Sequence, residues 1–185
     1  MRKLSSFLMI TLDGYYADAQ GDMGWAHKSD PEWTAFGVEN AKGGGVLLFG
    51  RVTYDLMNAY WPTPLARENN PAVAERMNSA PKIVFSKTMT RATWANTQLV
   101  GSDIAGAVRK MKDEPGPDMA ILGSGIIITQ LAEERLIDAF QFVVNPLALG
   151  QGKRLFDGIR ERLALKLTGT RSFANGNVLL NYEAA

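Results

Sequence analysis

The chain has 185 residues, 46% of them hydrophobic, which is enough for one domain with a sizeable core spanning 1–185. Lys plus Arg number 20 against 19 for Asp plus Glu, so no basic field points to nucleic acid and no acidic excess points to disorder. With no cysteine, disulfide frameworks, thiolate nucleophiles and cysteine-type zinc sites all fall away, and a cytoplasmic protein working on a small molecule fits best.

The opening "MRKLSSFLMITLDGYY" sets two basic residues before an apolar run. Ser5 and Ser6 interrupt that run and Asp13 ends it, so 4–12 is expected to be a first strand rather than a secretory leader. No stretch of about 18 apolar residues predicts a membrane span. "DPEWTAFGVENA" (30–41) predicts a helix with Asp30 as N-cap and Pro31 at its first position. "VLLF" (46–49) predicts the second strand, followed by a helix from Val52 to Tyr60. "PTPLARENNP" is expected to be a loop, "AVAERMN" a further helix, and "KIVFS" (82–86) the third strand. "TQLV" predicts a short strand, "DIAGAVRKMK" (103–112) a helix capped by Asp103, and "MAILG" (119–123) another strand. After Gly125 comes "IIITQLAEERL" and then the long strand "DAFQFVVNP". Leu163, Leu165 and Leu167 then alternate with polar residues, as do Val178, Leu180 and Tyr182, with "ANGN" supplying the turn between them. Fully apolar strands among helices, ending in an alternating hairpin, predict an α/β fold with a mixed, mostly parallel sheet between helical layers.

Three small-residue turns each follow a strand: Gly50 after "VLLF", Ser86 after "KIVF", and "GSG" (123–125) after "MAIL". Taken singly, each is ordinary punctuation between strand and helix. In an open α/β sheet, however, ligands bind beyond the carboxyl ends of parallel strands, so the three turns could converge on one ligand. A helix restarting at Gly50 leaves N–H groups pointing outward, and Arg51 beside them suggests a phosphate. "GSG" is not the GxGxxG fingerprint and follows a late strand, which argues against a standard Rossmann fold.

Five stretches in order, "TLDGYYAD", "GRVTYD", "KIVFSKTM", "ILGSGIIITQL" and "LIDAFQFVVNPLALGQGKRLF", together resemble the RibD C-terminal family over nearly the whole chain. That family groups riboflavin-pathway reductases with stand-alone deaminase-reductase domain proteins. The resemblance implies a three-layer α/β/α dihydrofolate reductase-like fold and an NADPH-dependent reductase. In that reading Gly50 allows close phosphate approach, Arg51 pairs with the 2'-phosphate, and Thr53 offers its hydroxyl and N–H to the pyrophosphate. Ser86 and Lys87 border the adenosine half, while Gly123, Ser124, Gly125 and Ile126 cradle the pyrophosphate on a helix N-terminus. The sequence departs from the family where Ser124 separates two glycines that are usually adjacent. It carries no deaminase zinc signature of His, Glu and paired cysteines, so only the reductase half is implied.

Asp13, at the end of the first strand, is where the family places substrate or nicotinamide contacts; otherwise it is a turn-forming aspartate before glycine. Asp30 stands roughly where dihydrofolate reductases carry the acid that holds the pterin, but Asp30 followed by Pro31 also makes an ordinary helix start, which is the favoured reading. Asp13 and Asp30 are thus the candidate catalytic groups. Trp25, Trp33 and Trp61 could stack on a flat ring or lie in the core. His27, the only histidine, reads as a solvated surface group. Gly150, Gly152 and Lys153 could face a substrate phosphate, or equally form a flexible strand-end turn with a surface lysine. The expected acceptor is a small heterocyclic or imine-like molecule. Rival readings are a dihydrofolate reductase-like activity, with Asp30 or Glu32 as proton relay, and a non-catalytic nucleotide-binding module. The strand "DAFQFVVNP" and the hairpin after it suggest a homodimer.

Overall fold

A strand written entirely in apolar residues is stable only in a sheet covered on both faces. Two strands here come close to that kind and are buried nearly throughout: β3 (Val46–Gly50), and β4 (Lys82–Phe85), whose one charged residue, Lys82, is buried with its ammonium donating to the Asn78, Ala80 and Ala95 carbonyls. The computed structural model describes residues 1–26 and 30–185, and builds around these strands an eight-stranded sheet. Its other members are β1 (Leu4–Thr11), β5 (Thr97–Val100), β6 (Met119–Leu122), β7 (Ala139–Asn145), β9 (Leu165–Ser172) and β10 (Val178–Ala184). The order across the sheet is β5-β4-β3-β6-β1-β7-β10-β9. From β5 to β7 every pairing is parallel; β10 runs antiparallel to β7, and β9 antiparallel to β10.

Side chains alternate across the strands, so each strand feeds two cores. Leu4 and Leu8 of β1, Leu48 of β3, Ile83 and Phe85 of β4, and Met119 and Ile121 of β6 face one side. There they pack against α5 (Ile104–Asp113) through Val108 and α6 (Gly125–Glu133) through Ile127, Ile128 and Leu131. On the other side Leu47, Phe49 and Val84 meet α2 (Arg51–Tyr60) and α4 (Pro71–Ser79) through Tyr54 and Met77. Farther along that face Val143 and Leu179 meet Phe36 of α1 (Pro31–Ala41). The result is the three-layer α/β/α arrangement, with mostly parallel strands and an antiparallel C-terminal hairpin.

Two local expectations are corrected. The segment read as a loop contains the helix α3 (Pro64–Asn69), started by Thr63, whose side chain accepts from the Ala66 N–H, and by Pro64 at the first position. An unforeseen ribbon also joins β2 (Tyr15–Ala17) to β8 (Lys153–Arg154). The apolar strand taken to need a partner, β7, lies inside the sheet between β1 and β10, with Phe140 and Phe142 in one core and Val143 in the other. Its hydrophobicity is therefore accounted for within one chain.

The helix that carries Arg51 is fixed by Tyr54, which is 1% exposed. The Tyr54 hydroxyl accepts the Trp94 backbone N–H at 2.7 Å, while its ring packs between Phe49 and Trp94. Tyr54→Phe leaves that buried N–H without a partner, so chemical denaturation is expected to show a loss of about 1–3 kcal/mol. An unchanged midpoint would show that the bond does not anchor α2.

Candidate functional site

Helix α1 leaves β1 on one face of the sheet and α6 leaves the neighbouring β6 on the other; α2, following β3 on β6's far side, takes the same face as α1. Helices departing in opposite directions open a crevice at the carboxyl ends of β1, β6 and β3, the switch point where such sheets bind ligands. No side chain caps α2 or α6. Their first-turn N–H groups therefore point into the crevice without intrahelical partners, two partial positive charges on neighbouring strand ends.

A knot of three residues holds these helix ends together. The Gly50 N–H donates to Ser124 Oγ at 2.6 Å, Ser124 Oγ donates to Thr53 Oγ1 at 3.0 Å, and the Ser124 N–H donates to the same oxygen at 3.1 Å. This changes the reading of Gly50, whose backbone is ordinary extended chain with φ −80°. A Cβ there would stand 3.0 Å from Ser124 Oγ, so glycine makes room for the knot rather than for a phosphate. Gly123 has φ +64° and Ser124 φ +57°, both in the left-handed region, and together they turn the chain from β6 into α6. The extra side chain of Ser124 is thus the fastening between two loops.

The remaining predicted residues divide. Arg51 opens α2, lies half exposed and reaches Asp55 at 3.6 Å, a loose pair from which it can turn to another anion. Ser86 and the exposed Lys87 follow β4, the next strand out. Ser86 Oγ accepts from the Thr88 and Met89 N–H groups, so its oxygen closes the turn that presents Lys87. Ile126 stands 70% exposed in the first turn of α6. Gly125 was expected to cradle pyrophosphate, but its α-carbon is covered: a Cβ there would meet the Tyr16 ring at 2.3 Å. That glycine accommodates an aromatic ring.

Asp13 lies at the same edge, but its carboxylate is occupied. It accepts from the Thr11 hydroxyl at 2.6 Å, the Gly150 N–H at 2.8 Å and the Leu149 N–H at 3.1 Å. These donors, the Thr11 hydroxyl foremost, hold its pKa down at about 2. Asp13 is therefore an ionised clip on the loop after β7 and cannot supply a proton at neutral pH. The same loop brings up Gly150, with φ +74°, and Gly152, with φ +142°, where a Cβ would collide with the Ala17 carbonyl oxygen. Lys153 extends exposed from β8. Beside it Arg154, not anticipated from the sequence, donates to the Tyr15 hydroxyl at 2.7 Å and lies over its ring.

Asp30 is not brought into this cluster. It caps α1, one carboxylate oxygen accepting from the Glu32 N–H at 2.8 Å and the other from the Asn175 N–H at 2.9 Å in the β9–β10 turn. Both oxygens tie a helix to a hairpin, which is the helix-start reading of that residue. Trp25 sits in a 3-10 turn (Gly24–Ala26) with its indole N–H buried and without a hydrogen-bond partner among the described residues. Trp33 packs against Phe36 and Phe173, and Trp61 against Tyr60. His27 lies outside the described residues. Near Asp30, at the ends of β7 and β10, Asn145 and Asn177 are completely buried. Asn145 Oδ1 and both polar atoms of the Asn177 side chain have no hydrogen-bond partner among the described residues. Among those residues no group of three or more His, Cys, Asp or Glu could hold a metal ion, and no helix is long and apolar enough to cross a membrane. Hollows of about 520 Å³ beside Arg67 and Glu75, and of about 350 Å³ beside Arg2 and Asp118, lie away from the crevice.

The fold and the crevice define an α/β protein of the dihydrofolate reductase-like class. Residues 2–179 match the model of the RibD C-terminal domain, and the chain belongs to that family. It is 29% identical to the Uncharacterized protein YyaP of Bacillus subtilis over 98% of this chain and 95% of that one. Among solved structures it resembles a putative riboflavin biosynthesis protein from Shewanella, with a TM-score of 0.75, 22% identity and 99% of each chain covered. It also resembles a diaminohydroxyphosphoribosylaminopyrimidine deaminase/5-amino-6-(5-phosphoribosylamino)uracil reductase from Thermotoga maritima. That match has a TM-score of 0.68 and 15% identity, and covers all of this chain but 57% of the other.

The clip predicts the behaviour of Asp13→Asn. An amide oxygen accepts fewer bonds than a carboxylate and carries no charge, so the Leu149 and Gly150 amides are expected to exchange hydrogen faster. In wild type the native pKa lies below the unfolded value, so the clip's contribution is complete above about pH 4 and fades only as pH falls toward 2. Exchange at these amides that is already fast at pH 5 would contradict the assignment.

Proposed function

We propose that the chain is an NADPH-dependent reductase that delivers a hydride to a small heterocyclic or imine-like acceptor, resembling the reductase of riboflavin biosynthesis. One observation carries the reading: two uncapped helix N-termini, α2 and α6, face one crevice and are locked together by the Gly50–Ser124–Thr53 knot. Such a pair of donor clusters suits a ligand with more than one phosphate. When bound, the dihydronicotinamide supplies the hydride, and the chemistry is the cofactor's own. The α2 and α6 N–H groups would hold the pyrophosphate, and Arg51 and Lys87 would stand on the flank for a further phosphate. The loop clipped by Asp13 would bring Lys153 and Arg154 toward the acceptor. We further propose that the protein works as a homodimer, with β9, one of the two edge strands of the sheet, and its hairpin as the surface available for pairing.

Arg51 offers the sharpest test, because NADPH differs from NADH only in the 2'-phosphate. A charge-assisted bond contributes roughly 1.5–3 kcal/mol, so Arg51→Ala is expected to weaken NADPH about tenfold to a hundredfold and to leave NADH unchanged. Its exposed pair with Asp55 contributes only about 0.3–0.5 kcal/mol, so stability hardly moves. Calorimetric titration of both cofactors into both proteins gives the answer. Equal losses for the two, or none, would assign Arg51 to the helix surface. NADPH binding without consumption across pyrimidine, pterin and carbonyl acceptors would favour a non-catalytic nucleotide-binding module.

A further inference from the structure

Reduction of a C=N or C=O group needs a proton as well as a hydride, and the carboxylates expected to provide it do not. Asp13 is ionised and already accepts from three donors, and Asp30 has each oxygen bonded to a backbone N–H group on the α1 side of the sheet. Thr53 and Ser124 are alcohols, too weakly acidic to give up a proton near neutrality, and they are engaged with each other. The Tyr15 hydroxyl donates to the Gly150 carbonyl oxygen at 3.3 Å while accepting from Arg154.

Tyr16 differs from all of these. Strand β2 turns its ring toward α6, against the α-carbon of Gly125, the first residue of that helix. The ring joins the core on the α6 face and is half buried, so its position in the crevice is fixed by packing. Its hydroxyl makes no hydrogen bond among the described residues and is not sealed from solvent. Burial raises the phenol above its ordinary value of 10.0, so the proton stays on the oxygen throughout the neutral range.

We propose that Tyr16 is the proton donor of the reduction, its ring wedged against Gly125 so that the hydroxyl meets the acceptor beside the α6 N-terminus. The proposal rests on the reductase reading. In the step, a dihydronicotinamide gives a hydride, with two electrons, to the acceptor carbon, and the π pair of the C=N or C=O bond moves to nitrogen or oxygen. The Tyr16 O–H bond breaks as the new N–H or O–H bond forms, and the phenolate then takes a proton from water. The nicotinamide is oxidised, the acceptor is reduced by two electrons, and the enzyme returns to its starting state.

The test is Tyr16→Phe in the full chain, which keeps the ring against Gly125 and removes only the hydroxyl. Two acceptors serve as probes, 7,8-dihydrobiopterin for C=N and 4-nitrobenzaldehyde for C=O, with NADPH affinity measured separately by fluorescence titration. The expected result is a fall in kcat of roughly 100-fold or more, the usual share of a general acid, with the NADPH Kd unchanged. The slowing of wild-type turnover in deuterated water should disappear or change with it. A wild-type kcat and solvent isotope effect in Tyr16→Phe would overturn the proposal and leave the reductase reading standing. A parallel loss of NADPH affinity would make Tyr16 a structural wall and overturn it equally. A wild-type chain that binds no NADPH, or binds it and reduces neither probe, would overturn the reading and the proposal together.

Discussion

Neighbouring parallel strands whose crossover helices leave on opposite faces create a gap that the sheet cannot close, and this chain is organised around one. Right-handed crossovers force β6 to send α6 one way while β1 and β3 send α1 and α2 the other. Everything that gives the site its character sits on the rim of that gap: two helix ends, the knot that fixes their separation, and the loops contributed by β1 and β7. The knot matters because helix N-termini are useful to an anion only when held at a constant distance. The Ser124 hydroxyl at the start of α6, bonded to both the Gly50 amide and the Thr53 hydroxyl at the start of α2, does so.

The second rim is built by charge. Asp13 collects a hydroxyl and two amides from residues 149 and 150, so a loop far along the chain is bound to the first turn. A depressed pKa in a crevice often marks a catalytic group, but the donors that depress this one also use its oxygens. What distinguishes the two roles is whether the group holds a proton to give. By that criterion a phenol that keeps its proton and has no hydrogen-bond partner among the described residues is better placed than an ionised carboxylate.

Much of the fold was legible from the chain alone because its signals are local. Apolar runs such as "VLLF" and "KIVF", the cap of Asp103 on the Gly106 N–H and the Asp30–Pro31 start all declare themselves within a few residues. The α3 start at Thr63 and Pro64 was equally local, but the surrounding prolines and asparagines masked it. The site was legible as positions and less so as roles. Gly50, Ser124 and Thr53 could be named from their turns, but that the serine would join the other two depends on β3 and β6 being neighbours, which the sequence does not spell out. The same holds for Gly125 and Tyr16, 109 positions apart by their numbers, whose fit exists only after β1, β2 and β6 are assembled. Roles that depend on two distant segments meeting leave no periodicity to read.

The buried asparagines at the ends of β7 and β10 carry a different implication. The Asn177 side-chain amide, sealed from water with no partner among the described residues, is a weakness in an otherwise well-packed wall. For anyone seeking a hardier scaffold of this type, Asn177 marks a place where thermal tolerance is held in reserve. The sheet beneath it is already complete, and a leucine there would ask nothing of its neighbours that the asparagine now receives.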